Sequence, residues 1–232
     1  MTVRVDCGTF PAANLHRRTA AMTIEPLLTT IEIAATLVFA ISGLIEAVHK
    51  RMDVVGVFAV AFVTAFGGGT VRDVLLDRRP LFWVQHQEYV WLVLALTLIA
   101  PPLLRLIRHQ WTHRAMQVTD ALGLGLFSVS GASLALAAGL PLIVVVLMGV
   151  ITGVFGGVMR DVLCNEIPLV FHDHCPYALC AFVGGWAFLG ANALGAEPLM
   201  AFAIGGGVAT GLRLLALAWD WRIPAWPRED ES

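Results

Sequence analysis

Charge is scarce in this chain. Only 14% of its 232 residues are Asp, Glu, Lys or Arg, against about 25% in soluble domains. That deficit excludes an ordinary soluble enzyme. The formal net charge is −2 and no basic patch is interleaved with aromatics, so no nucleic-acid partner is expected. The four cysteines, Cys7, Cys164, Cys175 and Cys180, form no CxxC pair, which excludes a zinc ribbon and a dithiol redox motif and leaves buried free thiols. No GxxxxGK[ST] loop is present, because Gly67, Gly68 and Gly69 lead into Thr70, Val71 and Arg72. No GxGxxG follows a strand. No nucleophile–base pair stands out, so neither a catalytic residue nor a cofactor is expected. His172, Asp173 and His174 lack a companion cluster, so no metal site is expected there. Residues 1–26 lack an apolar signal-peptide core and read as a tail, with Met22 an equally acceptable start.

What is abundant is apolar surface. The apolar share is 58% and the mean hydropathy is +0.77, the profile of an integral membrane protein. A membrane span needs about 20 mostly apolar residues. Seven stretches approach that length, at about 27–48, 54–76, 89–107, 118–138, 141–164, 176–194 and 198–219. The links between them are short. The expected fold is an all-α membrane protein with one domain over 27–221 and a C-terminal tail over 222–232.

One short stretch occurs twice. Gly67-Gly68-Gly69 precedes Thr70-Val71-Arg72-Asp73, and Phe155-Gly156-Gly157 precedes Val158-Met159-Arg160-Asp161. The offset of 88 positions extends, without a gap, to Phe39 and Phe127, Ser42 and Ser130, Thr64 and Thr152, Pro80 and Pro168, and the acidic pair Glu32 and Asp120. The unit is therefore three spans long, covering about 27–108 and 115–195, followed by a seventh span over 198–219. An odd number of spans per unit makes the second copy enter from the opposite side. Inverted repeats of this kind recur in transport proteins, with sites at the repeat interface among interrupted helices.

Loop charges set the orientation. Lys50, Arg51, Arg105, Arg108, Arg114, Arg213, Arg222 and Arg228 gather on one side, and Arg78, Arg79 and the tail arginines on the other. The C-terminus is expected in the cytoplasm and the N-terminus outside. Glu46, His49 and Lys50 then mark the cytoplasmic end of the first span.

Two readings stand for the glycines. Rows such as Gly149, Gly153 and Gly157 let membrane helices approach closely. Alternatively, glycine costs a helix about 1 kcal/mol against alanine, so consecutive glycines can break the helix and turn freed carbonyls toward a wet path. Two readings also stand for Arg72-Asp73 and Arg160-Asp161. Adjacent helical positions do not face each other, so each charge needs a partner elsewhere or water. In a straight second span Arg72 lies about 27 Å along the helix and can snorkel to headgroups. With a kink at Gly67–Gly69 it stays deeper, at one mouth of a path, with Arg160 at the opposite mouth and the aspartates concentrating cations. Ser42, Ser130, Thr64 and Thr152 either line that path or bond back to their own helices. Asp120, at the start of the fourth span, suits the helix dipole.

The segments GGGTVRDVLL, GGVMRDVLCNEIP and DALGLGLF resemble the bacterial branch of the trimeric intracellular cation (TRIC) channels, over Leu27 to about Trp221. The resemblance implies seven helices as two inverted three-helix repeats plus one. It implies a homotrimer in the inner membrane, with a pore in each protomer conducting potassium and also sodium. Kinked second and fifth helices would line it, with Gly67, Gly68, Gly69, Arg72 and Asp73 from one copy and Phe155, Gly156, Gly157, Arg160 and Asp161 from the other. Phe155 stands where a third glycine would, so the second kink is expected to be milder. On physical grounds a secondary transporter of a small neutral solute, such as glycine, fits broken inverted repeats equally well.

Overall fold

The computed structural model of the chain describes residues 12–104, 109–172, 176–219 and 221, with side chains for 26–99, 114–171, 176–219 and 221. Among the described residues there are nine helices and no strand. They are α1 (Ala12–His49), α2 (Val54–Leu75), α3 (Phe82–Gln85), α4 (Gln87–Leu104), α5 (His109–Ala137), α6 (Leu142–Leu163), α7 (Leu169–His172), α8 (Tyr177–Ala193) and α9 (Pro198–Ala218). Five stretches are long and apolar enough to cross a membrane: Pro26–His49, Val54–Leu75, Arg114–Ala137, Leu142–Leu163 and Pro198–Ala218. Gln87–Ile99 and Tyr177–Ala193 are shorter apolar helices at the positions of the expected third and sixth spans. The first helix begins at Ala12, so part of the expected tail is helical. Cys164 and Cys180 are buried free thiols.

The duplication is written into the helix ends. Alpha-helices α2 and α6 start and stop 88 positions apart, and so do the C-termini of α1 and α5. Each end closes in the same way. Met52 N–H donates to the Ala47 carbonyl and Arg51 N–H to Val48 after α1; Leu140 donates to Ala135 and Gly139 to Leu136 after α5. The residue that turns is left-handed in both, Arg51 at φ 55° and Gly139 at φ 75°. The ends of α2 and α6 repeat the motif with Asp77 at φ 51° and Asn165 at φ 57°, residue types that tolerate this region. Such closures satisfy the last carbonyls of a helix.

The core forms where the halves meet. Alpha-helices α2 and α6 pack together, α1 packs on α5, and α9 packs on α8 and α5. Phe39 and Phe127, themselves 88 apart, stack with centroids 5.4 Å apart at the centre. Exposed apolar side chains such as Val55, Trp91, Ile99, Leu147 and Leu194 cover the outside, as a lipid-facing surface requires. Lys50 and Glu166 form an ion pair that ties the α1–α2 turn to the end of α6. That hydrogen bond raises the Lys50 pKa above its ordinary value.

The glycine stretches do not interrupt their helices. Helical structure runs unbroken through Gly67–Gly69 and through Phe155–Gly157, so the expectation of unwound backbone with freed carbonyls is corrected. The glycines act by closeness instead. A Cβ at Gly156 would sit 2.6 Å from the Thr64 carbonyl oxygen and 2.9 Å from the Phe39 ring. A Cβ at Gly68 would clash with the Thr152 carbonyl oxygen. The contact is reciprocal under the offset of 88, so two small residues let α2 and α6 touch backbone to backbone. The cost of about 1 kcal/mol per glycine is outweighed by packing that no larger residue permits.

Candidate functional site: two buried arginine clusters

At one end of the α2–α6 seam lies Arg72, wholly buried. Its Nη1 donates to Glu32 Oε1 at 2.6 Å and to Ser130 Oγ at 3.1 Å. Its Nε donates to Asp73 Oδ1 at 2.9 Å, and Nη2 stands 2.8 Å from the same oxygen. The other oxygen of Asp73 accepts the Phe82 backbone N–H at 2.8 Å, so the aspartate also anchors the segment leading into α3. The guanidinium lies 5.3 Å from the Phe82 ring centroid.

The second cluster repeats the first. Arg160 Nη1 donates to Asp120 Oδ1 at 2.7 Å and to Ser42 Oγ at 2.6 Å. Its Nε donates to Asp161 Oδ1 at 2.8 Å. Asp161 Oδ2 accepts the Leu169 backbone N–H at 3.0 Å. Each arginine thus takes a carboxylate from early in the apolar span of its own half's long helix, and a serine from further along that of the other half's. This is possible only because α1 and α5 run in opposite directions. An ion pair with several hydrogen bonds is what makes buried charge tolerable.

These contacts correct two expectations. Adjacent Arg and Asp do pair, because the long arginine side chain curls back over the following residue. Neither arginine reaches a headgroup or stands loose, since each is buried and held by three side chains. Thr64 and Thr152 are occupied locally, donating to the Val60 and Met148 carbonyls at 2.6 and 2.7 Å. Ser42 and Ser130 join the clusters. Of the glycines, Gly67 faces Met159, Gly69 faces Phe82, and Gly157 faces Tyr177 and Asp120. Phe155 is 37% exposed, outside the seam. Among the described residues no group of His, Cys, Asp and Glu could hold a metal. Asp173 and His174, with the side chain of His172, lie outside the described residues.

Beside the first cluster opens a cavity of about 300 Å³ lined by Glu32, Asp73, Arg78, Pro80, Phe82 and His86, among others. Arg78 stands 4.0 Å from Asp73, with its side chain 45% exposed. Three members of the clusters escape a reading of the sequence. Tyr89 and Tyr177 are the only two tyrosines, are 88 apart, and are both buried beside the carboxylates; that spacing was available as a signal. Arg213, counted above as a loop charge, is 1% exposed within α9, its guanidinium 4.7 Å over the Tyr177 ring. It has no equivalent in the other half, so no repeat pointed to it.

Together these features define a class: an all-helical, polytopic membrane protein whose core is a duplicated arginine–carboxylate cluster. Comparison with known proteins narrows it. The structure matches that of the TRIC trimeric intracellular cation channel orthologue from Rhodobacter sphaeroides with a TM-score of 0.78 at 32% identity, over 84% of this chain and 98% of that one. It matches a prokaryotic TRIC channel crystallised in 0.5 M KCl with a TM-score of 0.80 at 28% identity, over 86% and 100%. The UPF0126 inner membrane protein YadS of Escherichia coli strain K12 is 37% identical over 205 residues, 87% of this chain and 97% of that protein. A UPF0126 membrane protein of Vibrio cholerae is 37% identical over 203 residues, 86% and 83%. A family model described as Glycine transporter matches residues 29–103 and 117–193. The chain belongs to this family, that of the UPF0126 membrane proteins and the prokaryotic TRIC channels.

Proposed function

We propose that the protein is a cation channel of the bacterial inner membrane, a homotrimer with a pore inside each protomer, passing potassium and also sodium. In this reading residues 27–221 form one domain of seven spans. Two inverted three-helix repeats, about 27–108 and 115–195, are followed by the seventh helix, with the N-terminus outside and the C-terminus in the cytoplasm. The path runs along the α2–α6 seam from one arginine cluster to the other. The observation that carries the proposal is the pair of reciprocal clusters, one at each end of that seam, the first opening into a cavity lined by Glu32 and Asp73. Carboxylates at a pore mouth raise the local cation concentration and repel anions. Gly68 and Gly156 fix the width of the seam, and Thr64, Thr152, Gly67, Gly69 and Gly157 line it. Solved relatives named as TRIC cation channels support the same function.

The family model's name favours a second reading, a secondary transporter of a small solute such as glycine. Purified protein in planar bilayers under a potassium chloride gradient separates the two. Ohmic unitary currents reversing near the potassium potential support the channel. Saturable glycine flux coupled to an ion gradient, without unitary currents, replaces it.

A further inference from the structure

The clusters share their arginine contacts, with Ser130 also donating to Glu32 at 3.3 Å, but among the described residues they differ in charge. The first holds two carboxylates, Glu32 and Asp73, against one buried guanidinium, Arg72. The remaining cation nearby, Arg78, is half exposed and screened by water. The second holds Asp120 and Asp161 against two buried guanidinia, Arg160 and Arg213. Arg213 comes from α9, the helix that lies outside the duplication. Its Nε and Nη1 find no hydrogen-bond partner among the described residues. It rests on the face of Tyr177, and Tyr177 Oη and Asp120 Oδ1 lie 3.0 and 3.1 Å from where a Gly157 Cβ would stand. The guanidinium is therefore next to the cluster, and among the described residues no carboxylate forms an ion pair with it.

Tyr89 is stacked by the His86 ring, with centroids 5.0 Å apart and planes 16° apart. His86 is partly exposed, stands 3.0 Å from Glu88, and lines the cavity. The first half thus has an imidazole at the edge of an acid-lined opening; the histidine at the matching position of the second half, His174, lies outside the described residues.

We infer that conduction is asymmetric within each protomer: Glu32 and Asp73 form the single cation-binding vestibule, and Arg213 is a fixed electrostatic barrier at the other end that sets the conductance. This rests on the channel reading. A permeating cation is drawn to the first cluster by its excess negative charge. Among the described side chains of the second cluster it meets no such excess, because Arg213 cancels it. Arg213 is thus a conductance-setting residue supplied by the one helix that the repeats do not contain.

The test uses the full-length protein in planar bilayers with symmetric potassium chloride. A unit charge about 12 Å from an ion, at an effective dielectric near 20, changes its local occupancy about tenfold. Arg213→Gln is expected to raise unitary conductance by about threefold or more, part of that limit, and Arg213→Lys to return it toward the wild-type value. Because a buried arginine also supports folding, a second variant acts from the other side. His86→Arg, at a partly exposed position, places a fixed cation on Tyr89 and is expected to lower conductance by about threefold. Wild-type currents with Arg213→Gln and His86→Arg both unchanged overturn this inference while leaving the channel intact. If Arg213→Gln does not fold, Arg213→Met takes its place in the same measurement, and an unchanged conductance there overturns the barrier. Absence of unitary current in the wild type removes the channel reading, and the barrier with it.

Discussion

Gly156→Ala tests whether the glycines serve closeness or flexibility. The added Cβ would lie 2.6 Å from the Thr64 carbonyl oxygen and 2.9 Å from Phe39 Cε2. A carbon and a carbonyl oxygen in contact across a helix interface sit about 3.3 Å apart or more, so α2 and α6 must part by roughly 0.7 Å. Neither neighbour yields easily. One is helix backbone, and the other is a buried ring stacked on Phe127. Overpacking of this kind costs about 1–3 kcal/mol, and two rigid neighbours put it toward the upper end. Against this stands the helix-propensity gain of about 1 kcal/mol for glycine to alanine. Gly190→Ala and Gly207→Ala isolate that gain, because a Cβ at either meets nothing within 4 Å. The assay is the midpoint of thermal loss of monodisperse protein in detergent, with equilibrium unfolding to convert midpoints to free energies. Gly156→Ala is expected to fall below both controls by about 1–3 kcal/mol, and Gly68→Ala, whose clash with Thr152 is tighter, by no less. If Gly156→Ala matched Gly207→Ala, the seam would not be a close contact, and the glycines would have to act by loosening their helices.

Three further outcomes follow from the clusters. Arg72→Met leaves Glu32 and Asp73 buried without their cation and is expected to destabilise by about 3–5 kcal/mol; unfolding measurements within about 1 kcal/mol of wild type would contradict the buried geometry. Ser42→Ala and Ser130→Ala each remove one acceptor from a buried guanidinium, at about 1.5–3 kcal/mol, and Ser130→Ala also removes a donor to Glu32; a variant as stable as wild type in the same unfolding assay would argue against the serine's place in its cluster. Asp73→Asn is expected to lower cation conductance and cation-over-anion selectivity in planar bilayers, and an unchanged reversal potential in a salt gradient would count against an acidic vestibule.

The duplicated half was legible because its signals are local and occur twice. The apolar run lengths, the Arg-Asp pairs and the Glu32/Asp120 and Ser42/Ser130 matches all repeat at one offset, so the three-span unit could be read position by position, while which of these residues meet one another could not. Tertiary consequences were less legible. A glycine run reads the same whether it weakens a helix or admits a neighbour, and only the Thr64 and Thr152 carbonyls lying against Gly156 and Gly68 decide for the neighbour. The rule that consecutive helical residues face apart describes where Cβ atoms point; a side chain as long as arginine overrides it when a low-dielectric surrounding makes an unpaired charge costly. Arg213 was misplaced for a different reason. Near the end of an apolar helix it counts as a loop cation, and nothing in the other half repeats it. A duplicated core makes its two ends alike by construction, so any difference between them has to enter through residues that lack a counterpart. Arg213 is such a residue, resting on a tyrosine that does have one, and that is why directionality in this protein should be sought in α9 rather than in the repeated arginines.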